Sequence, residues 1–390
     1  MKTGLILLCL AYVLSQFFRA FLAVLSHALE VDIGAVPEDL AFASGLWFLS
    51  FAAMQLPVGW ALDRIGPRLS SSVLLLIGGG GGAALFAMAT TPAHVNIAML
   101  LIGVGCSPVL MASYYIFARE YPPAKFATLA ALMLGVGSVG NLVASYPTAL
   151  AADLIGWRGT LAGLSLLSAV VAVGLFFTVR DPKPIEGGLK GSLLDLLKMP
   201  VIWTILPLML VSYAPAGAVR GLWIGPYLTD MFGLNTAQIG QATLVMGVAM
   251  IAGTLTYGPM DRILGTRKWL VVAGNALSGL TLLALVVIPA NNIFVAVGLM
   301  ACLGFLGASF PVMIAHGRSF FPPHLVGRGV TLLNLFGIGG VGLMQLVSGR
   351  IHEQMGDAPV GTSYQAILGF FAVALFIGLF FYLFSRDSLD

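Results

Sequence analysis

Long apolar runs separated by short polar segments dominate the chain. A helix needs about 20 mostly apolar residues to cross a bilayer, and twelve runs are of that kind. The predicted spans 1 to 12 cover residues 4–28, 40–61, 69–90, 95–118, 126–150, 160–179, 201–228, 237–259, 268–289, 292–316, 328–350 and 364–384. We therefore expect an all-α membrane protein with a six-helix bundle over 1–179, a cytoplasmic linker over 180–200 and a second six-helix bundle over 201–390.

The composition supports a membrane protein and argues against several other classes. Of the 390 residues, 59% are hydrophobic and 9% are charged, and the mean hydropathy is +0.98. Soluble domains contain about 25% charged residues, so we expect this chain to be surrounded by membrane lipid. The short loops leave no soluble catalytic domain, and we expect no enzyme activity. The net charge of +3 comes without a basic stripe for nucleic acid. Three cysteines without ligand spacing predict no metal site, and we expect no cofactor and a monomer.

The basic residues predict the orientation of the chain. Fifteen of the 19 Lys and Arg residues fall on one side of the alternating loops, and Arg158 and Arg350 fall on the other. The positive-inside rule then places the N- and C-termini in the cytoplasm, in a bacterial-type inner (plasma) membrane. We interpret the first apolar run as a span rather than a cleavable signal, because it continues beyond signal length.

The two remaining basic residues lie inside predicted spans. Arg19 and Arg220 are 201 residues apart, in spans 1 and 7, and none of the 16 Asp and Glu residues falls inside a span. A cation at the bilayer centre costs at least ~2.5–3.5 kcal/mol, and such residues usually face a bundle interior or a wet cavity. We therefore expect an anionic solute to neutralise them. In the alternative, each arginine is bound by polar groups at a helix break or extends to the headgroups.

The two halves of the chain repeat one another at an offset near 200 residues. Matching features, in chain order, are Tyr12 with Tyr213, Arg19 with Arg220, Asp63 with Asp261, Gly103 with Gly304, and Gly137 with Gly339. Transporters built from two parallel repeats hold substrate at the repeat interface and rock one half against the other. The repeat therefore predicts alternating access.

Polar side chains at helical spacing accompany each embedded arginine. Tyr12, Gln16 and Arg19 stand at i, i+4 and i+7, which lie on one helix face. The same seven-residue separation joins Tyr213 to Arg220, and Tyr227 is close to that face. The predicted substrate-binding residues are Tyr12, Gln16, Arg19, Tyr213, Arg220 and Tyr227. For other embedded polar residues, Gln345 among them, we favour links between helices, and we expect His316 at the membrane surface.

The loop between spans 2 and 3 contains Gly59, Asp63, Arg64, Gly66 and Arg68 in a fixed spacing. This pattern resembles the loop signature of the major facilitator superfamily, with the signature's usual Leu-Ala order reversed as Ala61-Leu62. A second copy keeps Asp261 and Arg262 but contains a one-residue insertion. The resemblance covers essentially the whole chain. It implies the twelve-helix fold of two pseudo-symmetric bundles, with these loop residues acting as a gate that latches the outward-facing state. The alternative is a basic turn that only fixes topology.

The paired arginines are similar to those of the superfamily's organic-anion and organophosphate branches. We therefore expect a secondary active or facilitative transporter of a small organic anion, a carboxylate, phosphate ester or sulfonate. The sequence has no phosphate-binding loop for ATP. The coupling ion, a proton or a counter-anion, stays open, as does transport without coupling. The alternatives are efflux of amphipathic drugs or metabolites and, from another class, a non-transporting membrane receptor or assembly factor.

Overall fold

A computed structural model of the protein describes residues 2–182, 193–288, 291–322, 325–356 and 358–388, and these contain helices and no β-strand. Ten helices in these ranges are long and apolar enough to cross a membrane, and a bent helix pair adds an eleventh span. The helix Pro123–Val143 completes the twelve that the hydropathy pattern predicts. The prediction of an all-α membrane protein is confirmed.

The observed helices set the bounds of the spans. In order, spans 1 to 12 are Lys2–Phe17 with Leu22–Ile33, Pro37–Arg64, Pro67–Ala87, Pro92–Glu120, Pro123–Val143, Tyr146–Thr178, Ile202–Phe232, Thr236–Leu264, Lys268–Val287, Ile293–Arg318, Val326–Gln354 and Val360–Tyr382. Of the predicted linker, residues 183–192 lie outside the described residues, and Leu193–Leu197 form a short helix.

The boundary between spans 5 and 6 differs from the prediction. Span 5 ends at Val143 rather than at 150, and the next helix already begins at Tyr146. Pro147 explains the early start, because proline lacks an N–H and fits the first turn of a helix. Inside span 6, Gly156 has φ 74°, a left-handed conformation that kinks the helix. The apolar run continues through these breaks, and hydropathy alone therefore misplaces the helix ends.

Spans 1, 3 and 7 are irregular helices. Span 1 is interrupted between Phe17 and Leu22 and bends by 55°. Span 3 contains a π-helical segment over Leu75–Gly81, and span 7 contains another over Val219–Trp223. Short π-helical segments are rare and frequently mark functional sites. Arg19 lies in the interruption of span 1 and Arg220 in the π-helical segment of span 7.

The chain forms two compact units, Met1–Glu186 with Asn235–Gln241, and Gly187–Leu234 with Ala242–Asp390. In each unit a carboxylate near the end of its last span caps the start of another span. Asp181 accepts a hydrogen bond from the Arg68 backbone N–H at 2.8 Å, at the start of span 3. Asp387 accepts from the Lys268 backbone N–H at 2.9 Å, at the start of span 9. A side-chain cap of this kind stabilises a helix start by about 1 kcal/mol.

The hydrogen bonds at Asp387 also change its acidity. Burial acts to raise the pKa of Asp387. Hydrogen bonds from the Thr266 hydroxyl and from the backbone N–H groups of Lys268 and Arg267 favour the ionised form and outweigh burial. The pKa of Asp387 therefore lies below its ordinary value, and the cap is charged at neutral pH.

A second acid in each unit lies near the C-terminal end of that unit's first span and forms hydrogen bonds there. In the first unit, Asp32 accepts hydrogen bonds from the Trp157 indole N–H at 2.9 Å and from the Arg158 guanidinium. In the second unit, Asp230 accepts a hydrogen bond from the Tyr364 hydroxyl. The C-terminal end of each arginine-bearing span is thus tied to the last span of its own unit.

Candidate functional site

The Arg19 guanidinium lies against two aromatic rings of span 2. Its central carbon is 4.9 Å from the Phe51 ring centroid and 5.3 Å from that of Trp47. The two rings stack on each other, with centroids 5.2 Å apart and an interplanar angle of 16°. Cation–π contacts of this kind contribute about 0.5–2 kcal/mol each, more when desolvated. The rings therefore hold a cation that pairs with no carboxylate in the described part of the chain.

The Nε of Arg19 is a donor that the described residues leave without an acceptor. This nitrogen is buried, and no ion pair forms at Arg19 among the described parts of the chain. A guanidinium carries five N–H donors in one plane, and the two rings offer none of them an oxygen acceptor. A carboxylate or phosphate binds along the edge of the plane, where two donors point the same way. The site has the chemistry of an anion-binding group with vacant donors.

Tyr12 and Gln16 lie one helical turn apart, before the interruption that contains Arg19. The Gln16 amide donates a hydrogen bond to the Tyr12 hydroxyl at 2.8 Å, which confirms that the two share a face. The Tyr12 ring packs on Gly137 of span 5, where an added Cβ would lie 2.3 Å from the ring. The regular i, i+4, i+7 stripe therefore ends at Gln16, because Arg19 follows the end of the helix at Phe17.

The Arg220 guanidinium is buried against span 8. Only 4% of this residue is exposed, and a Cβ added at Gly247 would lie 3.0 Å from Nη2 and 3.2 Å from Nε. Gly247 is 200 residues after Trp47, and Arg220 is 201 residues after Arg19. Each arginine thus packs on the second span of its own unit, at positions that lie close to one another in the repeat. The first unit supplies a ring there, and the second supplies the space left by a glycine.

The two predicted tyrosines of span 7 occupy different surroundings. Tyr213 is half-buried at a bend and contacts the Phe310 ring, with centroids 5.4 Å apart. Tyr227 is 6% exposed and packs edge-on against Tyr364, in an aromatic group that also includes Trp223. The structure therefore puts Tyr227 in the packing between spans 7 and 12.

Sequence reasoning missed Trp47, Phe51 and Gly247, the residues that surround the two guanidiniums. Trp47 and Phe51 are spaced i, i+4 in an apolar span, a pattern that also describes ordinary core packing. Gly247 is one of 48 glycines. Only the position of Trp47 and Gly247 in the internal repeat could have drawn attention to them.

The first copy of the loop signature forms ion pairs within its own unit. Asp63 pairs with Arg119 of span 4 at 3.4 Å, and the Arg119 guanidinium lies 3.7 Å from the Tyr115 ring centroid. Arg68 pairs with Asp181 at 3.8 Å, whereas Arg64 is exposed. Asp181 caps the neighbouring helix start, that of span 3.

The structure explains why glycine is needed at position 66 of this loop, but it shows no such need at position 59. Gly66 has φ 97°, and a Cβ there would lie 2.5 Å from the Asp181 carboxylate. Any other residue at 66 would therefore displace the cap of span 3. At Gly59 an added Cβ would meet only the Met111 side chain, at 3.9 Å, which is an ordinary contact.

The second copy of the signature forms a closer pair. Asp261 is 8% exposed and pairs with the Arg267 Nε at 3.1 Å, whereas Arg262 is exposed.

The expectation that His316 lies at the surface is wrong. His316 is completely buried, 2.6 Å from the Tyr382 hydroxyl and 2.9 Å from the Arg386 carbonyl oxygen. These hydrogen bonds link span 10 to the end of span 12. The basic neighbour Arg318 had suggested a surface position for His316, and this packing role was not visible in the sequence.

The sequence profile described as Major Facilitator Superfamily matches residues 8–223 and 215–389. The chain belongs to this superfamily. The membership that the loop signature and the repeat suggested is confirmed, and with it the twelve-helix fold. The superfamily consists of transporters, so the chain is an integral membrane protein of a transporter family.

Three bacterial proteins are among those similar to this member of the superfamily. The sialic acid transporter NanX of Escherichia coli (strain K12) is 25% identical over 348 residues, covering 85% of this chain and 83% of that protein. The nitrite extrusion protein of Bacillus subtilis (strain 168) is 21% identical, covering 65% of this chain and 64% of that protein. The probable L-galactonate transporter of E. coli is 24% identical, covering 47% of this chain and 40% of that protein.

Solved structures of the superfamily match the whole fold. The crystal structure of the D-xylose–proton symporter has a TM-score of 0.80 at 16% identity. The match covers 99% of this chain and 98% of the symporter chain. The crystal structure of the nucleoside transporter NupG has a TM-score of 0.78 at 16% identity. That match covers 98% of this chain and 99% of the NupG chain. At this identity the likeness concerns the fold alone.

Proposed function

We propose that the chain is a secondary or facilitative transporter of a small organic anion and works by alternating access. Arg19 and Arg220 each supply a guanidinium to bind the anion. Tyr12, Gln16, Tyr213 and Tyr227 are proposed as supporting residues, with Tyr12 and Gln16 the nearest along the chain to Arg19. No cofactor is needed for this activity, because binding and a conformational change suffice.

The observation that carries the proposal is the state of Arg19. Its guanidinium lies against the rings of Phe51 and Trp47, and its Nε has no acceptor among the described residues. A buried donor without a partner costs about 1–3 kcal/mol, and more in a charged group. A bound anion would remove this cost and neutralise the charge, and both gains favour an anion over a neutral solute.

The relatives support an anion and favour a carboxylate. Sialic acid and L-galactonate carry carboxylates, and nitrite is an inorganic anion. A carboxylate accepts two parallel hydrogen bonds from one guanidinium, in the geometry that the edge of Arg19 offers. Among carboxylates, phosphate esters and sulfonates, we therefore propose a carboxylate as the transported group.

We propose that the loop-signature residues control the transport states from the cytoplasmic side of a bacterial plasma membrane. These residues are Gly59, Asp63, Arg64, Gly66, Arg68, Asp261 and Arg262. The excess of Lys and Arg in the loops on that side supports this orientation. The pairs Asp63–Arg119 and Asp261–Arg267 supply charges that can exchange partners between states.

Uptake into vesicles containing the purified protein tests the proposed function. The panel is galactonate, sialic acid, nitrite and glycerol 3-phosphate, with galactose as the neutral counterpart of galactonate. We expect saturable uptake of a carboxylate and none of galactose. Transport of neutral amphipathic compounds, with no anion of the panel transported, would contradict the proposal and support the efflux alternative.

A further inference from the structure

A buried amide on span 11 contacts both ends of the π-helical segment that carries Arg220. Gln345 is completely buried and lies beside Val219–Trp223. Its Nε2 is 3.4 Å from the Ala218 carbonyl oxygen, just before the segment. Its Oε1 accepts a hydrogen bond at 3.0 Å from the indole N–H of Trp223, the last residue of the segment. One side chain therefore contacts both ends of the irregular turn.

The chemistry of the partners fixes which way this amide points. An indole N–H can only donate, and a carbonyl oxygen can only accept. The Gln345 oxygen must therefore face Trp223, and its NH₂ must face Ala218. Ser348, one turn further along span 11, accepts from the same indole at 2.9 Å and donates to the Gln345 backbone carbonyl at 2.9 Å. Gln345 and Ser348 of span 11 thus both hold this turn, and we call the Gln345 side chain with its support from Ser348 the amide bracket.

The bracket bears on Arg220 because a π-helical turn contains one residue more than an α-helical turn. If the segment relaxed to a regular α-helix, the side chains on one side of it would rotate by one residue, roughly 100° about the helix axis. Arg220 lies between the two ends that Gln345 holds. The bracket therefore fixes the direction in which the guanidinium points.

The matching positions of the first unit lack this pair of side chains. At the offsets of the internal repeat, 201 and 202 residues, Trp223 corresponds to Leu22 and Gln345 to Val143, and both are apolar. There the arginine is held by the rings of Trp47 and Phe51 instead. The two units hold their arginines in different ways, an aromatic stack in one and an amide bracket in the other.

We propose that Gln345 is a positioning residue for Arg220. It keeps the segment Val219–Trp223 π-helical, and it thereby sets the affinity for the transported anion without contacting that anion. The inference rests on the proposed function in one respect only, that Arg220 binds the anion. The first part of the test is independent of any substrate.

The first measurement is the rate at which phenylglyoxal, an arginine-specific reagent, modifies Arg220, followed by mass spectrometry. We expect Gln345→Met to raise this rate severalfold, since a rotated Arg220 would leave its buried position, while the rate at Arg19 stays unchanged. Asn275→Leu is the matched control, because Asn275 is also a buried amide that joins two elements of the same unit. An unchanged rate at Arg220, or an equal rise at both arginines, would overturn the proposal.

The second measurement is the KM for galactonate uptake, in a double-mutant cycle with Arg220→Gln. Loss of a positioning hydrogen bond predicts that Gln345→Met raises KM by about fivefold in the wild-type background. It should add nothing in the Arg220→Gln background, because residues that act through one another are not additive. Equal factors in both backgrounds would mean a purely structural role for Gln345. If Arg220→Gln itself leaves galactonate uptake unchanged, the proposed function fails there, whereas the labelling result decides the bracket separately.

Discussion

Filling the space beside Arg220 tests whether the position of its guanidinium sets affinity. The substitution is Gly247→Ala, on span 8. The added Cβ would lie 3.0 Å from Nη2, 3.2 Å from Nε and 3.4 Å from Cζ of Arg220, where ordinary contacts begin at 3.4 Å. Either the guanidinium or the helix must move by at least about 0.4 Å, the difference between the tightest of these distances and an ordinary contact.

The size of the effect follows from the strength of the contact that the shift disturbs. A hydrogen bond to a charged group contributes about 1.5–3 kcal/mol. A shift of this size weakens such a bond and does not abolish it. We therefore expect about 1.4 kcal/mol, which is a tenfold rise in KM. The maximal rate should change less, because the gating residues are untouched.

Initial rates of anion uptake into vesicles, measured over a range of concentrations, give the KM. Gly298→Ala is the matched control, because its added Cβ meets nothing within 4 Å in the same unit. Both substitutions raise helix propensity by about 1 kcal/mol, so their difference isolates the contact with Arg220. A KM in Gly247→Ala equal to that of the control would refute the reasoning.

Three further outcomes follow from the structure. Trp47→Leu should raise KM about two- to thirtyfold by removing a cation–π contact to Arg19, whereas Trp47→Phe should have a smaller effect; equal values for the two would contradict this. Asp181→Asn should lower the stability of the first unit by about 1 kcal/mol through loss of the helix cap, measured as the melting temperature in detergent; an unchanged value would contradict this. The pKa of Asp387 is lowered on folding, so its contribution is present above about pH 4 and is lost as pH falls through the lowered pKa. The melting temperatures of wild type and Asp387→Asn should therefore differ at pH 7 and converge at acidic pH; a constant difference would contradict the charged cap.

The sequence predicted the fold well because hydropathy and charge act over whole spans. Twenty apolar residues in a row have few structures open to them in lipid, and the loop signature adds the family. The helix ends near Val143 and Tyr146 were not predictable from the same signal, because the apolar run continues across them. Pro147 favours the helix start at Tyr146, and the left-handed Gly156 kinks the same helix further along.

For the candidate site, the sequence predicted the arginines but not what surrounds them. A cation in an apolar span is conspicuous, since its burial is costly. Trp47, Gly247 and Gln345 are ordinary residues of membrane helices, and their role depends on which neighbour they contact in three dimensions. The helical spacing of Tyr12, Gln16 and Arg19 assumed a regular helix, and the interruption after Phe17 removes that assumption for Arg19.

The central claim is that the two embedded guanidiniums bind the transported anion. The most direct test is anion uptake by Arg19→Gln and Arg220→Gln in vesicles, with Arg158→Gln as the control at an arginine that already pairs with Asp32. We predict that each of the first two substitutions raises KM by at least tenfold or abolishes uptake, while Arg158→Gln retains near-wild-type KM. Uptake with unchanged KM in both Arg19→Gln and Arg220→Gln would contradict the account.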